Sequence, residues 1–505
     1  MSATEGFLHG LQLAFTPELL LTALIAAFVG TLIGVLPGLG AVAGAAIALP
    51  LTFMFDPVVG LVLIAGIYVG AQYGGSTGSI LLNIPGDSTA VVATFDGYPM
   101  AQKGRAGPAL AITAIGAFIA STIGLVFIVY SSGFVASFAI TFNAVDYFAL
   151  TAGGLLILAR ISGGTLAQGL LPMILGVVIA TVGMESTSSY PRYTFGNLDL
   201  TLGIHIAVLA VGIYGVSEIL YLIEDKRQRA SYKKIRIKDL VPSRSEIRQS
   251  WGPWGRGSIL GFILGTLPMP SATISTFVSY RMEKGIARNK SQFGKGAVQG
   301  LAGPEAANNS AAIGSIVPVL VLGLPFSAVL ALMISAMIVH GIQPGPLMME
   351  QQPDLFWSVI GALAIANVML LVLNIPMIGI WVRILQIPRY ILIPVIVLVA
   401  SMGVFSVSNN MVNLYLMLAL GAVGYFLRKY NYSLASMLVG FVLGPLIEDN
   451  FVRGMRVSQG DPAYFLSSTF AVVIWSVVVL IVIGAAVRTL LKRRAQRRLL
   501  DSTAK

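Results

Sequence analysis

The chain has 505 residues, 56% of them hydrophobic and only 10% charged, and carries a formal net charge of +11. Soluble domains run near about 25% charged, so a mean hydropathy of +0.85 excludes that class, and long apolar runs without alternation exclude a membrane barrel. There is no Cys, the three His residues (His9, His205, His340) are scattered, and no P-loop pattern occurs, which argues against disulfides, metal centres and nucleotide hydrolysis.

What remains is an all-α, polytopic helical membrane protein. At roughly 20 residues per span, the length allows about 10–12 transmembrane helices. Any energy source is then an ion gradient or a separate subunit. The positive charge is topological. Basic residues concentrate in 226–256 and in the tail from Arg488 to Arg498, and the positive-inside rule places both in the cytoplasm, facing lipid headgroups and not nucleic acid. No Lys or Arg precedes Lys103. A signal-peptide n-region is therefore missing, and the N-terminus is expected outside. An outside start and an inside linker require an odd number of crossings in the first half, which inverts the second half.

In chain order, a first transmembrane repeat is expected over 1–224, with apolar segments near 19–54, 58–84, 108–130, 134–159, 164–183 and 201–223. A basic cytoplasmic linker follows at 225–256. A second repeat is expected over 257–491, with segments near 257–280, 306–340, 355–382, 389–407, 411–427, 434–447 and 464–487, and then a basic cytoplasmic tail at 492–505. Each half opens on a proline break inside an apolar stretch: Leu36-Pro37-Gly38-Leu39-Gly40 in the first, Leu267-Pro268-Met269-Pro270-Ser271 in the second. Proline removes a backbone donor and glycine permits unusual dihedrals. Such a break frees amides at the positive start of a half-helix, where an anion docks without a charged side chain. Paired broken helices in corresponding places are a mark of secondary transporters. The segment 257–280 is read as a re-entrant hairpin, because a single crossing would put the basic stretch 281–295 outside.

A second cluster runs from Tyr73-Gly74-Gly75-Ser76-Thr77-Gly78-Ser79 to Asn83-Ile84-Pro85-Gly86-Asp87. Its hydroxyls and bare backbone suit carboxylate oxygens or Na⁺, or else simple small-residue packing. Asp96-Gly97-Tyr98-Pro99 reads as a turn, and Asp87 as a helix cap. In the second half, Gly303-Pro304-Glu305-Ala306-Ala307-Asn308-Asn309 reads as the opening of a helix. Pro304 then sits in the first turn, with Glu305 at the positive end or serving as a cation site. Asn83-Ile84-Pro85-Gly86 aligns with Gly323-Leu324-Pro325-Phe326 at an offset near 240, against 231 for the proline breaks, and Ala65 then stands opposite Glu305. His340 reads as a structural residue at a membrane surface.

These motifs resemble the large membrane subunit of the tripartite tricarboxylate transporter family (TctA-like). The resemblance rests on Gly34 to Gly40, Tyr73-Gly74-Gly75-Ser76, Asn83 to Gly86, Asp96 to Met100 and Lys103 to Ala106. It extends to Arg192 to Gly196, Phe293 to Gly296, Pro304 to Asn309 and Gly341 to Pro346. Two places depart from the family pattern: Pro268-Met269-Pro270-Ser271 stands where the family usually has Pro-Gly-x-Gly, and Pro325-Phe326 stands where it usually has Pro-Gly. The resemblance implies a bacterial inner-membrane permease and not an enzyme. It implies work with a small membrane subunit and a periplasmic solute-binding protein, and carboxylate uptake driven by H⁺ or Na⁺, with no other cofactor. The expected substrate contacts are Pro37, Gly38, Gly40, Ser76, Thr77, Asn83, Pro85, Gly86, Asn308, Asn309 and Pro325, with Glu305 coupling the cation. A stand-alone permease is the nearest alternative. An intramembrane enzyme would lack a catalytic constellation.

Overall fold

The computed structural model describes residues 2–36, 39–86, 88–162, 165–185, 190–224, 240–267, 269, 271–384 and 389–484. These are almost entirely helical. The first half holds α1 (Ala3–Ala14), α2 (Pro17–Val35), α3 (Gly40–Thr52), α4 (Pro57–Leu82), α5 (Val91–Met100), α6 (Ala106–Ala139), α7 (Ala144–Ser162), α8 (Leu166–Ala180), α9 (Ile206–Ala210) and α10 (Ser217–Glu224). The second half holds α11 (Arg244–Gly265), α12 (Ser271–Ile286), α13 (Val298–Gly314), α14 (Ala328–Val339), α15 (Met348–Gln351), α16 (Pro353–Asn374), α17 (Ile378–Ile384), α18 (Arg389–Ser408), α19 (Met411–Lys429) and α20 (Leu434–Val457). Eight of the described helical stretches are long and apolar enough to cross a bilayer, and shorter apolar helices fill the gaps between them. The chain is a multi-pass, all-α membrane protein.

Two three-helix units form the centre. In the first, α2 runs parallel to α4. A methyl group at Gly30 would sit 2.5 Å from the Ile67 carbonyl oxygen, and one at Gly34 would sit 2.3 Å from that of Ala71. After the break, α3 returns antiparallel, so that Thr52 ends beside Gly60. In the second unit, α11 runs parallel to α13. A methyl at Gly261 would lie 2.3 Å from the Ala307 carbonyl oxygen, and one at Gly265 would lie 2.7 Å from that of Ala311. There α12 returns: Ser275 reaches the Ala307 carbonyl oxygen at 3.2 Å, and Glu283 ends beside Gly303. Backbones approach this closely only through glycine, the usual device where lipid offers no hydrophobic drive for helix association.

The contacts correspond residue by residue. Gly30 and Gly34 become Gly261 and Gly265 at the offset of 231, while Ile67 and Ala71 become Ala307 and Ala311 at the offset of 240. The long helices α4 and α13 cross antiparallel, with Ser76 at Glu305 and Tyr68 at Ser315. The second unit therefore runs opposite to the first. Both long helices stop on a left-handed residue: Asn83 (φ 57°) after α4 and, after a π-helical turn over Pro318–Leu322, Gly323 (φ 71°).

Several boundaries differ from the sequence expectation. The segments near 108–130 and 134–159 become one 34-residue helix, α6, followed by α7 from Ala144. The run 306–340 divides into α13, the π turn and α14. The helix carrying Glu305 begins at Val298, so Pro304 and Glu305 lie inside it and not at its positive end. The reason is tertiary: the loop before α13 is anchored by a residue from the other half. Asp96 is not in a turn but within α5 and fully buried. Its Oδ1 accepts the backbone N–H groups of Gly294 (2.9 Å), Gly296 (2.7 Å) and Ala297 (2.8 Å), and Tyr280 Oη donates to Oδ2 at 3.1 Å. Gly294 and Gly296 have φ of 82° and 102°, which lets successive amides converge as an anion-binding nest.

Candidate functional site

At the crossing of α4 and α13 lies a small cavity with a free volume of about 10 Å³, the room of one water. Its polar lining is Tyr73, Ser76 and Thr77 from α4, Thr113 from α6, Glu305 from α13 and Asn374 from the last turn of α16. Glu305 is buried, as intramembrane acids are when they serve a site. Ser76 Oγ donates to Glu305 Oε2 at 2.5 Å. Thr113 Oγ1 donates to the Leu110 carbonyl at 2.8 Å, and Asn374 Nδ2 donates to that of Leu370 at 2.9 Å. Tyr73 Oη donates to Asn367 Oδ1 at 2.8 Å, and Asn367 Nδ2 is held by Thr122 Oγ1 and the Phe118 carbonyl. Asn367 also borders a larger groove of about 380 Å³ between α1, α6 and α16. That groove is apolar and rimmed by exposed Val126, Tyr130 and Val368, so the chemistry belongs to the small cavity.

Of the expected site residues, the structure unites Ser76, Thr77 and Glu305 around this cavity. Asn308 and Asn309 lie on α13 one turn further on, and both are buried. Asn309 Nδ2 donates to the Glu305 carbonyl at 3.0 Å. Both polar atoms of the Asn308 side chain, and Oδ1 of Asn309, are without a hydrogen-bond partner.

Asn83, Pro85 and Gly86 form the loop after α4, outside the cavity. This loop touches both hairpins. A methyl at Gly86 would lie 2.9 Å from the Gly34 carbonyl oxygen, and Ser88 Oγ is 2.9 Å from Thr273 Oγ1 at the start of α12. Gly40 starts α3 with φ 61°. Pro325 is buried away from the cavity, and the neighbouring Phe326 ring packs on Gly154 of α7. Pro37, Gly38, Asp87, Pro268 and Pro270 lie outside the described residues, as do linker residues 225–239 and the tail. His340 Nε2 lies 3.2 Å from the Thr52 carbonyl oxygen, tying the loop after α14 to the end of α3.

Thr113 and Asn374 were not anticipated. Thr113 sits in an unbroken apolar helix and carries no sequence signal. Asn374 does: Asn374-Ile375-Pro376 repeats the tripeptide Asn83-Ile84-Pro85, and in both places a long helix ends there.

On the face where α11 begins, Lys103 Nζ donates to the Lys295 carbonyl at 2.5 Å, and Arg105 pairs with buried Glu246. Because α2 parallels α4, α11 parallels α13, and α4 opposes α13, the start of α2 lies on the opposite face. The loop after α8 forms a two-stranded antiparallel pair, β1 (Gly183–Met184) and β2 (Pro191–Arg192). Arg192 clasps Glu448 of α20 through two hydrogen bonds of 2.7 and 3.1 Å. That carboxylate raises the Arg192 pKa above its ordinary value.

The family model of the tripartite tricarboxylate transporter TctA family matches residues 20–439. An uncharacterized 52.8 kDa protein of the TAR-I ttuC' 3' region of Agrobacterium vitis is 42% identical over 462 residues, covering 92% of each chain. An uncharacterized protein of the TAR-II ttuC' 3' region of the same organism is 41% identical over 236 residues, covering 47% of this chain and 98% of that one. No solved structure matches.

Proposed function

The chain belongs to the tripartite tricarboxylate transporter TctA family, and from that premise we propose that it is the large permease subunit of a secondary carboxylate transporter. In this reading it sits in the bacterial inner membrane with its N-terminus periplasmic. It takes substrate from a periplasmic solute-binding protein, works with a small membrane subunit, and is driven by a cation gradient. The observation that carries the proposal is that two hairpins from oppositely directed units are both touched by the segment after α4, Gly86 lying at Gly34 and Ser88 at Thr273. Each hairpin presents a helix start, Gly40 in α3 and Ser271 in α12, whose positive end favours a carboxylate. The first break (Pro37, Gly38), the loop (Asn83, Pro85, Gly86) and the unpartnered amides of Asn308 and Asn309 would supply substrate contacts. Pro325, packed away beside Phe326, is left without a direct role.

Uptake into proteoliposomes tests this. The chain is reconstituted with the small membrane subunit, supplied with the cognate binding protein, and offered mono-, di- and tricarboxylates under separate Na⁺ and H⁺ gradients. Accumulation that requires the binding protein is expected. Equal accumulation by the chain alone would replace the tripartite reading with that of a stand-alone permease.

A further inference from the structure

We infer that the cavity between α4, α6, α13 and α16 is a Na⁺ site, built from Glu305, Ser76, Thr77, Thr113 and Asn374, and separate from the place where the carboxylate binds. The inference deepens the transport reading and rests on it for its purpose, though not for its chemistry.

Three observations carry it. The first is which atoms remain to serve an occupant. Ser76 has given its proton to Glu305, Thr113 to a carbonyl and Tyr73 to Asn367, and Asn374 has turned its Nδ2 to the Leu370 carbonyl. The groups left are lone-pair oxygens of hydroxyls and one amide beside a carboxylate, with the Thr77 hydroxyl free to rotate its proton away. Such a lining repels an anion and coordinates a hard cation.

The second is the end of α16. This 22-residue helix terminates at Asn374, so the negative pole of its dipole lies at the cavity, where it favours positive charge. Half-helix C-terminal ends are a recurring way of holding Na⁺ in transporters. The third is size and charge. About 10 Å³ admits one small dehydrated ion and no carboxylate substrate. No group of three or more His, Cys, Asp or Glu occurs among the described residues, so the lining suits a monovalent ion and not a divalent one. One Na⁺ neutralises the Glu305 carboxylate and lowers the cost of its burial.

The test is ²²Na⁺ binding to the purified full chain in lipid nanodiscs at pH 7, with K⁺ as the other cation and no carboxylate present. Saturable binding of one ion per chain is expected. Thr113→Val and Asn374→Ala should each weaken it about 10- to 100-fold, whereas Thr113→Ser should bind as the native chain does. Gel filtration checks that each variant is folded, and Asn374→Ser replaces any that is not. Absence of saturable ²²Na⁺ binding to the native chain, or binding unchanged in both weakened variants, overturns the site. Uptake runs alongside. Carboxylate accumulation on a H⁺ gradient without ²²Na⁺ binding sinks the Na⁺ site and leaves the transporter standing. Binding with the expected variant pattern, but no uptake under any gradient, does the reverse.

Discussion

The two central units share their packing but not their chemistry. Gly30 and Gly34 meet α4 as Gly261 and Gly265 meet α13, at comparable distances and in corresponding register. Yet where the second unit has Glu305, Asn308 and Asn309, the first has Ala65, Tyr68 and Val69 at the same offset. Close glycine contacts are set by backbone geometry and apply to both units alike. A buried carboxylate is expensive, and only the second unit carries one at this position. The polar partners in the first unit lie further along α4, at Ser76 and Thr77, and meet Glu305 because the helices cross antiparallel.

The largest effect expected from breaking this comparison is in the shared packing. Gly34→Leu or Gly265→Leu should each prevent recovery of folded protein from membranes, because even a methyl group would lie 2.3 or 2.7 Å from a backbone carbonyl that cannot yield. Gel filtration of detergent extracts reads this out, and a monodisperse, active Gly34→Leu protein would show that the hairpin does not sit on α4 as described. The unshared chemistry comes next. Glu305→Gln should abolish gradient-driven accumulation while leaving expression intact, and normal accumulation would remove Glu305 from coupling. Asp96→Asn exchanges charged for neutral acceptance of three amides, for a loss of about 2–3 kcal/mol. It should lower the thermal midpoint in detergent by several degrees, and an unchanged midpoint would mean the loop before α13 is held by something else. The two left-handed stops separate a costly change from the smallest one. Gly323→Ala combines a φ of 71°, which alone costs about 1–2 kcal/mol, with a methyl 2.7 Å from the Pro344 carbonyl oxygen, and should lower the thermal midpoint clearly. The smallest change is Asn83→Gly, which should stay within about 0.5 kcal/mol because Asn already tolerates that conformation.

Much of this was legible in the amino-acid sequence. Proline marks both hairpin breaks because its backbone effect is local. The register pairing Asn83 with Gly323 could be read because each ends a long helix on a left-handed residue. Glu305 was recognised as unusual, but its position in the helix was misjudged. Pro304 suits a first turn, and nothing nearby reveals that α13 starts at Val298. That start depends on Asp96, whose Asp-Gly-Tyr-Pro setting follows turn chemistry until distant amides and the Tyr280 hydroxyl are brought to it. Thr113 was invisible for the same reason: a lone polar residue in an apolar helix acquires meaning only from the helix across from it, whereas Asn374 carried a signal, its Asn-Ile-Pro repeating that of Asn83, that went unread.

The Asp96 anchor bears on how the molecule can move. Its carboxylate belongs to one half of the chain and its donors to the other. Pulling α5 away from the start of α13 would break four hydrogen bonds to a buried carboxylate at once. Any displacement that parts the halves along that seam meets this penalty at the outset. A displacement that carries the hairpins and the crossed helices together, sliding against the remaining helices, never encounters it.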